Sequence, residues 1–223
     1  MNNRVINVAI DGPSGAGKST AARLAAAKLG FLYVDTGALY RCLALAALRA
    51  GLPPTDAAAV EALLPRVALE LRFVEGVQHV FLGEEDVSEA IRTPEASLAT
   101  SAVSAQPAVR AFLLERQRAL AKAQNCILDG RDIGTVVLPG AQVKIFLTAS
   151  PEERAARRHA ELQKKGNTDS YEKVLEELIR RDEQDSGRAI APLKPAPGSI
   201  LLDSTGKTLE QVVDAIVQLI HGV

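Results

Sequence analysis

The segment Gly12-Pro13-Ser14-Gly15-Ala16-Gly17-Lys18-Ser19, running on into Thr20, restricts the folds open to this chain more than any other. It satisfies the pattern G-x-x-x-x-G-K-[ST] at every fixed position. Before it lies Val5-Ile6-Asn7-Val8-Ala9-Ile10, the kind of apolar run that makes a buried parallel strand. After it, Ala21 to Leu29 is rich in Ala, Leu, Lys and Arg, all strong helix formers. A chance glycine-rich run with a stray lysine would lack these flanks. Strand, glycine loop and helix in this order form an anion cradle. Glycines let backbone N–H groups approach phosphate oxygens, and the new helix points its unpaired N–H groups and positive dipole end at the same place. Lys18 then reaches the outer phosphates and the Ser19 hydroxyl is a Mg²⁺ ligand, so residues Gly12 to Thr20 are expected to bind a nucleoside triphosphate.

The rest of the chain keeps a strand–helix rhythm. Phe31 to Asp35 reads as a second strand, followed by a helix over Ala38–Ala50 that stops at Gly51 and Pro53-Pro54. Thr55 to Leu64 reads as a short helix with Thr55 as N-cap. From about Val67 the texture changes: Leu69, Leu71 and Phe73 alternate with charges, Glu75-Gly76 suits a turn, and Val77 to Leu82 reads as a return strand. This hairpin breaks the rhythm and marks a small insert running to about Pro94. A helix or helix pair follows over Glu95–Ala123, with Pro107 as the possible break. Cys126 to Asp129, Val143 to Leu147 and Ile200 to Asp203 are the remaining strands. Ser150-Pro151-Glu152-Glu153 is a strong helix start, Lys164 to Asp169 a polar loop, Tyr171 to about Gln184 a helix, and Leu209 to Ile220 a closing amphipathic helix. The fold class is therefore α/β: a P-loop NTPase-type five-stranded parallel sheet flanked by helices. In such sheets ligands bind at the carboxyl ends of strands. Those ends read Asp11-Gly12, Asp35-Thr36, Asp129-Gly130 and Asp203-Ser204.

Composition narrows the function classes. A chain of 223 residues suits one domain with small insertions. The net charge of -1 argues against nucleic-acid binding as the main business. No run reaches transmembrane length and the N-terminus lacks a signal peptide's apolar core, so a cytoplasmic protein is expected, with no membrane partner. Cys42 and Cys126 sit far apart in apolar surroundings and read as small buried hydrophobes. The three histidines, His79, His159 and His221, form no ligand pattern. No exposed apolar stripe is evident, which favours a monomer.

Two further constellations carry chemistry. On the helix from Tyr171, the apolar spacing of Val174 and Leu178 extends to Arg181, Asp185 and Arg188. Charges on such a stripe either have a partner or emerge into solvent where the helix ends; the sequence leaves both open. Arginines outnumber lysines 17 to 9. Arg41, Arg131, Arg154, Arg157, Arg158, Arg181 and Arg188 lie on segments able to face the site, and the guanidinium fork suits phosphate oxygens. Phosphoryl transfer needs positioning and charge neutralisation more than covalent help. A phosphate-monoester acceptor is mostly a dianion at neutral pH and needs no general base, which agrees with the lack of a convincing histidine.

These segments together resemble the bacterial cytidylate kinases, within the nucleoside monophosphate kinase family, along nearly the whole chain. The resemblance rests on Ile10 to Lys18, Asp35-Thr36-Gly37-Ala38-Leu39-Tyr40-Arg41, Ile91-Arg92-Thr93, Asp129-Gly130-Arg131-Asp132-Ile133-Gly134-Thr135-Val136-Val137, Arg181-Asp182 through Asp185 to Arg188, and Ala191-Pro192-Leu193. It implies a core (about 1–63, 95–151 and 171–223), a small inserted nucleoside-monophosphate-binding subdomain (about 64–94) and a helical lid (about 152–170). It implies transfer of the γ-phosphate of ATP, with Mg²⁺, to CMP or dCMP. By the same resemblance Thr36, Arg41 and Arg131 match positions near the acceptor's phosphate. Ser101, Arg110, Asp132 and Arg188 match positions around the cytosine, and Arg181 and Asp185 positions near the sugar. Lys18, Arg131 and the lid residues Arg154, Arg157 and Arg158 are the expected catalytic set. Serine is common in the family where Thr36 stands; threonine keeps the hydroxyl and adds a methyl.

Two rival readings remain. A kinase for UMP or a hydroxylated metabolite would share the loop but not the base-reading set Asp132, Arg188 and Ser101. A GTP-hydrolysing switch usually carries Asn-Lys-x-Asp, and none of the five asparagines here precedes a lysine.

Overall fold

The structure is a computed structural model that describes residues 5–164 and 166–223. Residues 1–4, and Lys165 within the expected lid, lie outside the described residues. In chain order the elements begin with β1 (Asn7–Asp11), α1 (Lys18–Leu29), β2 (Leu32–Asp35), α2 (Thr36–Arg49) and α3 (Ala57–Leu63). The antiparallel strands β3 (Leu69–Val74), β4 (Val77–Leu82) and β5 (Glu85–Asp86) follow, then α4 (Pro94–Ser104) and α5 (Pro107–Ala123). The last part holds β6 (Cys126–Gly130), β7 (Val143–Thr148), α6 (Pro151–Lys164), α7 (Tyr171–Ser186), β8 (Ile200–Asp203) and α8 (Leu209–His221). Among the described residues no helix is long and apolar enough to cross a membrane.

The chain divides into two compact units, Met1–Leu32 with Asn125–Val223, and Tyr33–Gln124. The first carries most of a five-stranded parallel sheet of order β2-β6-β1-β7-β8, with the unit boundary falling inside β2. Central strands buried on both faces need continuous apolar runs, and β1 and β6 supply them with Val8, Ala9, Ile10, Ile127 and Leu128 fully buried. Parallel register sets Ile10 beside Asp129 and Ile145, and Asp11 beside Gly130 and Phe146. The acidic strand ends are thereby gathered on one edge. Helix α1 lies close to the sheet because its buried face is alanine: Ala21, Ala22, Ala25 and Ala26. Helix α8 packs on α1 and buries Val212, Val213, Ile216 and Ile220, spaced at helical intervals behind a Thr208–Gln211 capping box.

In the second unit, α2 packs against α4 around a core that includes Leu39, Leu43, Ala47, Val103, Val109 and Leu113. A smaller cluster of Cys42, Val80, Val87 and Ile91 lies beneath the β3–β4 hairpin. The hairpin turn is Glu75-Gly76, with φ of 51° and 78°, the two-residue left-handed turn that matches strand twist. Both cysteines are free and buried, and burial pushes each thiol up to about 12.

Helix boundaries move where aspartate does the capping. Helix α3 starts at Ala57, because the Asp56 carboxylate, not Thr55, accepts the Ala59 N–H at 3.0 Å. Helix α2 starts at Thr36, not Ala38, because Asp35 accepts the Ala38 N–H at 3.0 Å. The expected long segment is two helices, with Pro107 opening α5. Helix α7 persists to Ser186 and so includes Asp185. Ile133–Val137 forms a single π-helical turn that the sequence pattern did not announce.

Candidate active site

The phosphate loop follows β1 directly. Gly12 has φ of 152°, and a Cβ there would sit 1.9 Å from the Leu147 carbonyl oxygen, so only glycine lets the loop leave the sheet at this point. Gly17, at φ 84°, precedes α1 and offers no side-chain cap, and the first turn of α1 holds no acid. Helix α2 has its Asp35 cap; the start of α1 has no side-chain cap, and N–H groups at such a start suit an anion. Lys18 is buried, and its Nζ donates to the Pro13 carbonyl at 2.7 Å. Burial and the Arg131 guanidinium push Lys18 down to about 7, against the pull of Asp129, Asp11 and Asp185. A bound triphosphate would reverse that bias. Ser14 and Gly15 are half-buried, Pro13 and Ala16 buried, and Ser19 and Thr20 exposed.

Two buried aspartates brace this loop. Asp129, at the end of β6, accepts the Ser19 hydroxyl at 2.7 Å. Asp11, at the end of β1, accepts the N–H groups of Ile133 and Gly134, each at 2.7 Å. Burial pushes Asp11 up to about 6, although those two N–H bonds favour its charge. Asp11 thus ties the segment after β6, including Arg131 and Asp132, to the strand that launches the phosphate loop.

Asp185 is the hub of the arginine cluster. Its carboxylate takes Arg131 Nε at 2.7 Å on one oxygen and Arg188 Nη2 at 2.5 Å on the other. Burial raises its pKa, but Arg131 and Arg188 outweigh this and hold it below the usual range. The charges on the extended stripe of α7 therefore have partners. Arg181 is half-buried and Asp132 buried. On α6, Arg154 is buried and donates to the carbonyls of Ser14 and Ala149 at 2.9 and 3.0 Å, and pairs with Asp182 at 2.6 Å. Arg157 donates to the Ser204 hydroxyl and carbonyl at 3.1 and 2.8 Å, and Arg158 is exposed, pairing with Glu161 at 2.8 Å.

The remaining candidates belong to the second unit. Thr36 is buried at the start of α2. Arg41 pairs with Asp35 at 2.6 Å, while its buried Nε has no hydrogen-bond partner. Gln78 on β4 fixes Asp35 from the other side, accepting its N–H at 2.9 Å and donating to its carbonyl at 3.2 Å. Arg110 is buried, donates to the Ser104 carbonyl at 3.2 Å and lies 5.7 Å from the Tyr40 ring centroid. Ser101 is half-buried one turn before the end of α4.

The family model for cytidylate kinase matches residues 8–222. The chain belongs to the cytidylate kinase family. Relatives named cytidylate kinase include one from Carboxydothermus hydrogenoformans, 48% identical over 96% of this chain and 97% of its own. Another, from Caldanaerobacter subterraneus subsp. tengcongensis, is 49% identical over 99% and 97%. A third, from Pseudomonas aeruginosa, is 49% identical over 98% and 96%. Among solved structures, an uncharacterised protein from Eubacterium ventriosum superposes with a TM-score of 0.53 at 11% identity, covering 99% of this chain and 100% of that one. A gluconokinase from Sinorhizobium meliloti gives 0.50 at 14% identity, covering 98% and 94%. These two likenesses show a shared α/β fold.

Asp11, Asp129, Asp35, Gln78 and Asp182 were not singled out by sequence reasoning. Three of them were in view as acidic strand ends. What identifies them is the partner each finds, and that is a tertiary fact.

Proposed function

We propose that this cytidylate kinase family member transfers the γ-phosphate of ATP to CMP and dCMP, giving CDP and dCDP by direct in-line transfer. The family match over residues 8–222 carries the acceptor assignment. The physical counterpart is an uncapped helix start and a buried lysine for one anion, with an arginine cluster suited to a second. On this reading the loop from Gly12 to Thr20 binds ATP, and Lys18 neutralises charge that builds between the two outer phosphates. Thr36, Arg41 and Arg131 bind the acceptor's phosphate. Ser101, Arg110, Asp132 and Arg188 read cytosine, and Arg181 and Asp185 hold the sugar. Arg157 and Arg158 keep exposed surface on the lid helix and suit closure on the transferring group. No general base is required of the protein, because the acceptor phosphate is already ionised.

Mg²⁺ fits the residues present. The Ser19 hydroxyl and the Asp129 carboxylate are adjacent hard oxygens at the loop. Among the described residues no cluster of three or more His, Cys, Asp or Glu could cage a metal. Ser19 and Asp129 would hold the Mg²⁺ ion. When bound it supplies charge neutralisation on the phosphates.

We divide the chain into a core (1–63, 95–151, 171–223), an acceptor-binding insert (64–94) and a lid (152–170); the insert shares the compact unit Tyr33–Gln124 with the core segments 33–63 and 95–124. The separate β3-β4-β5 sheet and helix α6 support the last two. We take the enzyme to be a cytoplasmic monomer, consistent with its unpaired buried thiols, and light scattering in solution checks the mass. The test of function is ADP release with ATP and Mg²⁺ against CMP, dCMP, UMP, AMP and GMP. Turnover with CMP and dCMP alone is expected. Turnover with none discards the acceptor assignment and turns attention to hydroxylated metabolites.

A further inference from the structure

We propose that Arg154 and Asp182 form a strut that holds the phosphate loop in its anion-binding shape, making both of them positioning residues for the triphosphate. The proposal deepens the ATP-binding reading and rests on it.

Arg154 is the fourth residue of α6, yet its side chain is only 4% exposed. Nη1 donates to the Ser14 carbonyl at 2.9 Å and Nε to the Ala149 carbonyl at 3.0 Å, while Nη2 pairs with Asp182 at 2.6 Å. The Ser14 carbonyl belongs to the loop itself. In an anion cradle the N–H groups must point inward, so the carbonyls must point away and find other donors. Arg154 supplies that donor for Ser14. A fork with separate donors can satisfy two carbonyls and a carboxylate at once; an ammonium at the same place has one nitrogen for all three.

Packing reinforces the bond. Gly15 has φ of 75°, and a Cβ there would lie 3.2 Å from Arg154 Cβ and 3.4 Å from the Arg154 carbonyl oxygen. The first turn of α6 thus presses directly on the loop. Asp182 sits on α7, three residues before Asp185, which takes Arg131 and Arg188. Ala155, Val174 and Leu178 bury the α6–α7 contact behind the pair. One ion pair, buried at Arg154 and 22% exposed at Asp182, therefore links α6, α7 and the phosphate loop. Drawing Arg154 out toward a phosphate would leave Asp182 charged and poorly solvated and the Ser14 carbonyl without its donor, a costly exchange. Arg158, exposed on the same helix and paired with Glu161, faces no such penalty.

The test uses the full-length protein and calorimetric titration of ATP in the absence of CMP, on the wild type, R154K, D182N and the double variant. CMP affinity and the thermal midpoint are measured alongside. The strut predicts that each single substitution weakens ATP binding by about ten-fold or more. The double variant should be little worse than the worse single, because both break one unit. CMP affinity should change much less than ATP affinity, because the acceptor-binding residues named above include neither Arg154 nor Asp182. An unchanged ATP affinity in D182N, with R154K lowering kcat alone, overturns the strut and makes Arg154 a mobile lid arginine. Equal loss of ATP and CMP affinity with a lowered midpoint also overturns it, in favour of a merely structural pair. If R154K does not fold, D182N alone decides, since it is nearly isosteric. Retained ATP binding without CMP turnover in the wild type removes the acceptor assignment and leaves the strut standing. Absence of ATP binding in the wild type removes both.

Discussion

Six of the seven charged side chains buried among the described residues, Asp11, Lys18, Asp129, Asp132, Arg154 and Asp185, belong to the unit of Met1–Leu32 and Asn125–Val223; the Tyr33–Gln124 unit buries only Arg110. The second unit is held instead by Leu39, Leu43, Val103, Val109 and Leu113 between helices. Buried charge is a poor way to stabilise a fold, because desolvation offsets most of the attraction. A unit that concentrates it is built to handle a charged ligand, and pushing Lys18 down to about 7 is one sign of that cost. The contrast implies two kinds of mutational sensitivity. Charge substitutions in the first unit should strike binding and turnover, and truncations in the second should strike stability.

The largest effect should come from Lys18→Ala. Turnover is expected to fall by about a hundred-fold or more, the scale of losing one preorganised charge at a transition state. CMP affinity should change far less. Comparable small effects on both would break the contrast at its strongest point. Next comes Leu113→Ala in the apolar core of the other unit. Leu113 is fully buried, so unfolding free energy should drop by about 2–5 kcal/mol, read from denaturant midpoints. At temperatures where the variant is folded, kcat should stay near the wild-type value; a fall as large as that of Lys18→Ala would erase the distinction. A smaller effect is expected at Asp132→Ala, where the ratio of kcat/KM for CMP over UMP should shrink by about ten-fold. Unchanged discrimination removes Asp132 from base reading.

The effect that is smallest per step of the measurement, about 1.4 kcal/mol per pH unit, is a pH slope. Lys18 has an ordinary value of 10.5 when unfolded and about 7 when folded without ligand. Between those values the unfolded chain binds the extra proton, so stability rises with pH from about 7 towards 10.5. The contribution is fully present above the unfolded value and is lost as pH falls through the folded one. Lys18→Met should flatten the rise in urea midpoint between pH 7 and 9. By the same linkage, ATP binding near pH 8 should take up close to one proton per site, seen as a buffer-dependent binding enthalpy. Proton release, or none, would mean that Lys18 is already charged in the free protein.

The elements legible in the sequence were those fixed by short-range pattern. The loop from Gly12 to Ser19, the apolar strands and the Pro107 break each depend on a few adjacent residues. The hairpin turn at Glu75-Gly76 was legible for the same reason. Helix starts slipped by a residue or two because Asp35 capped α2 and Asp56, not Thr55, capped α3. The site's supports were hidden for a different reason. Whether Asp185 on α7 emerged into solvent or was held depended on Arg131, 54 residues earlier. Asp11 meets Ile133 and Gly134 more than a hundred residues away, and Arg154 meets Ser14 at a similar distance along the chain. No local period encodes such pairs. Arg154, Arg157 and Arg158 looked alike in sequence; burial of the first alone separates them.

Phosphorus NMR of the protein with ATP, Mg²⁺ and CMP tests the central claim most directly, because it follows donor and acceptor in one sample. The phosphorus resonances of CDP should grow in step with those of ADP, and no inorganic phosphate should accumulate. Consumption of ATP to inorganic phosphate, with the CMP signal unchanged, would contradict the assignment of this chain as a kinase for cytidine monophosphates.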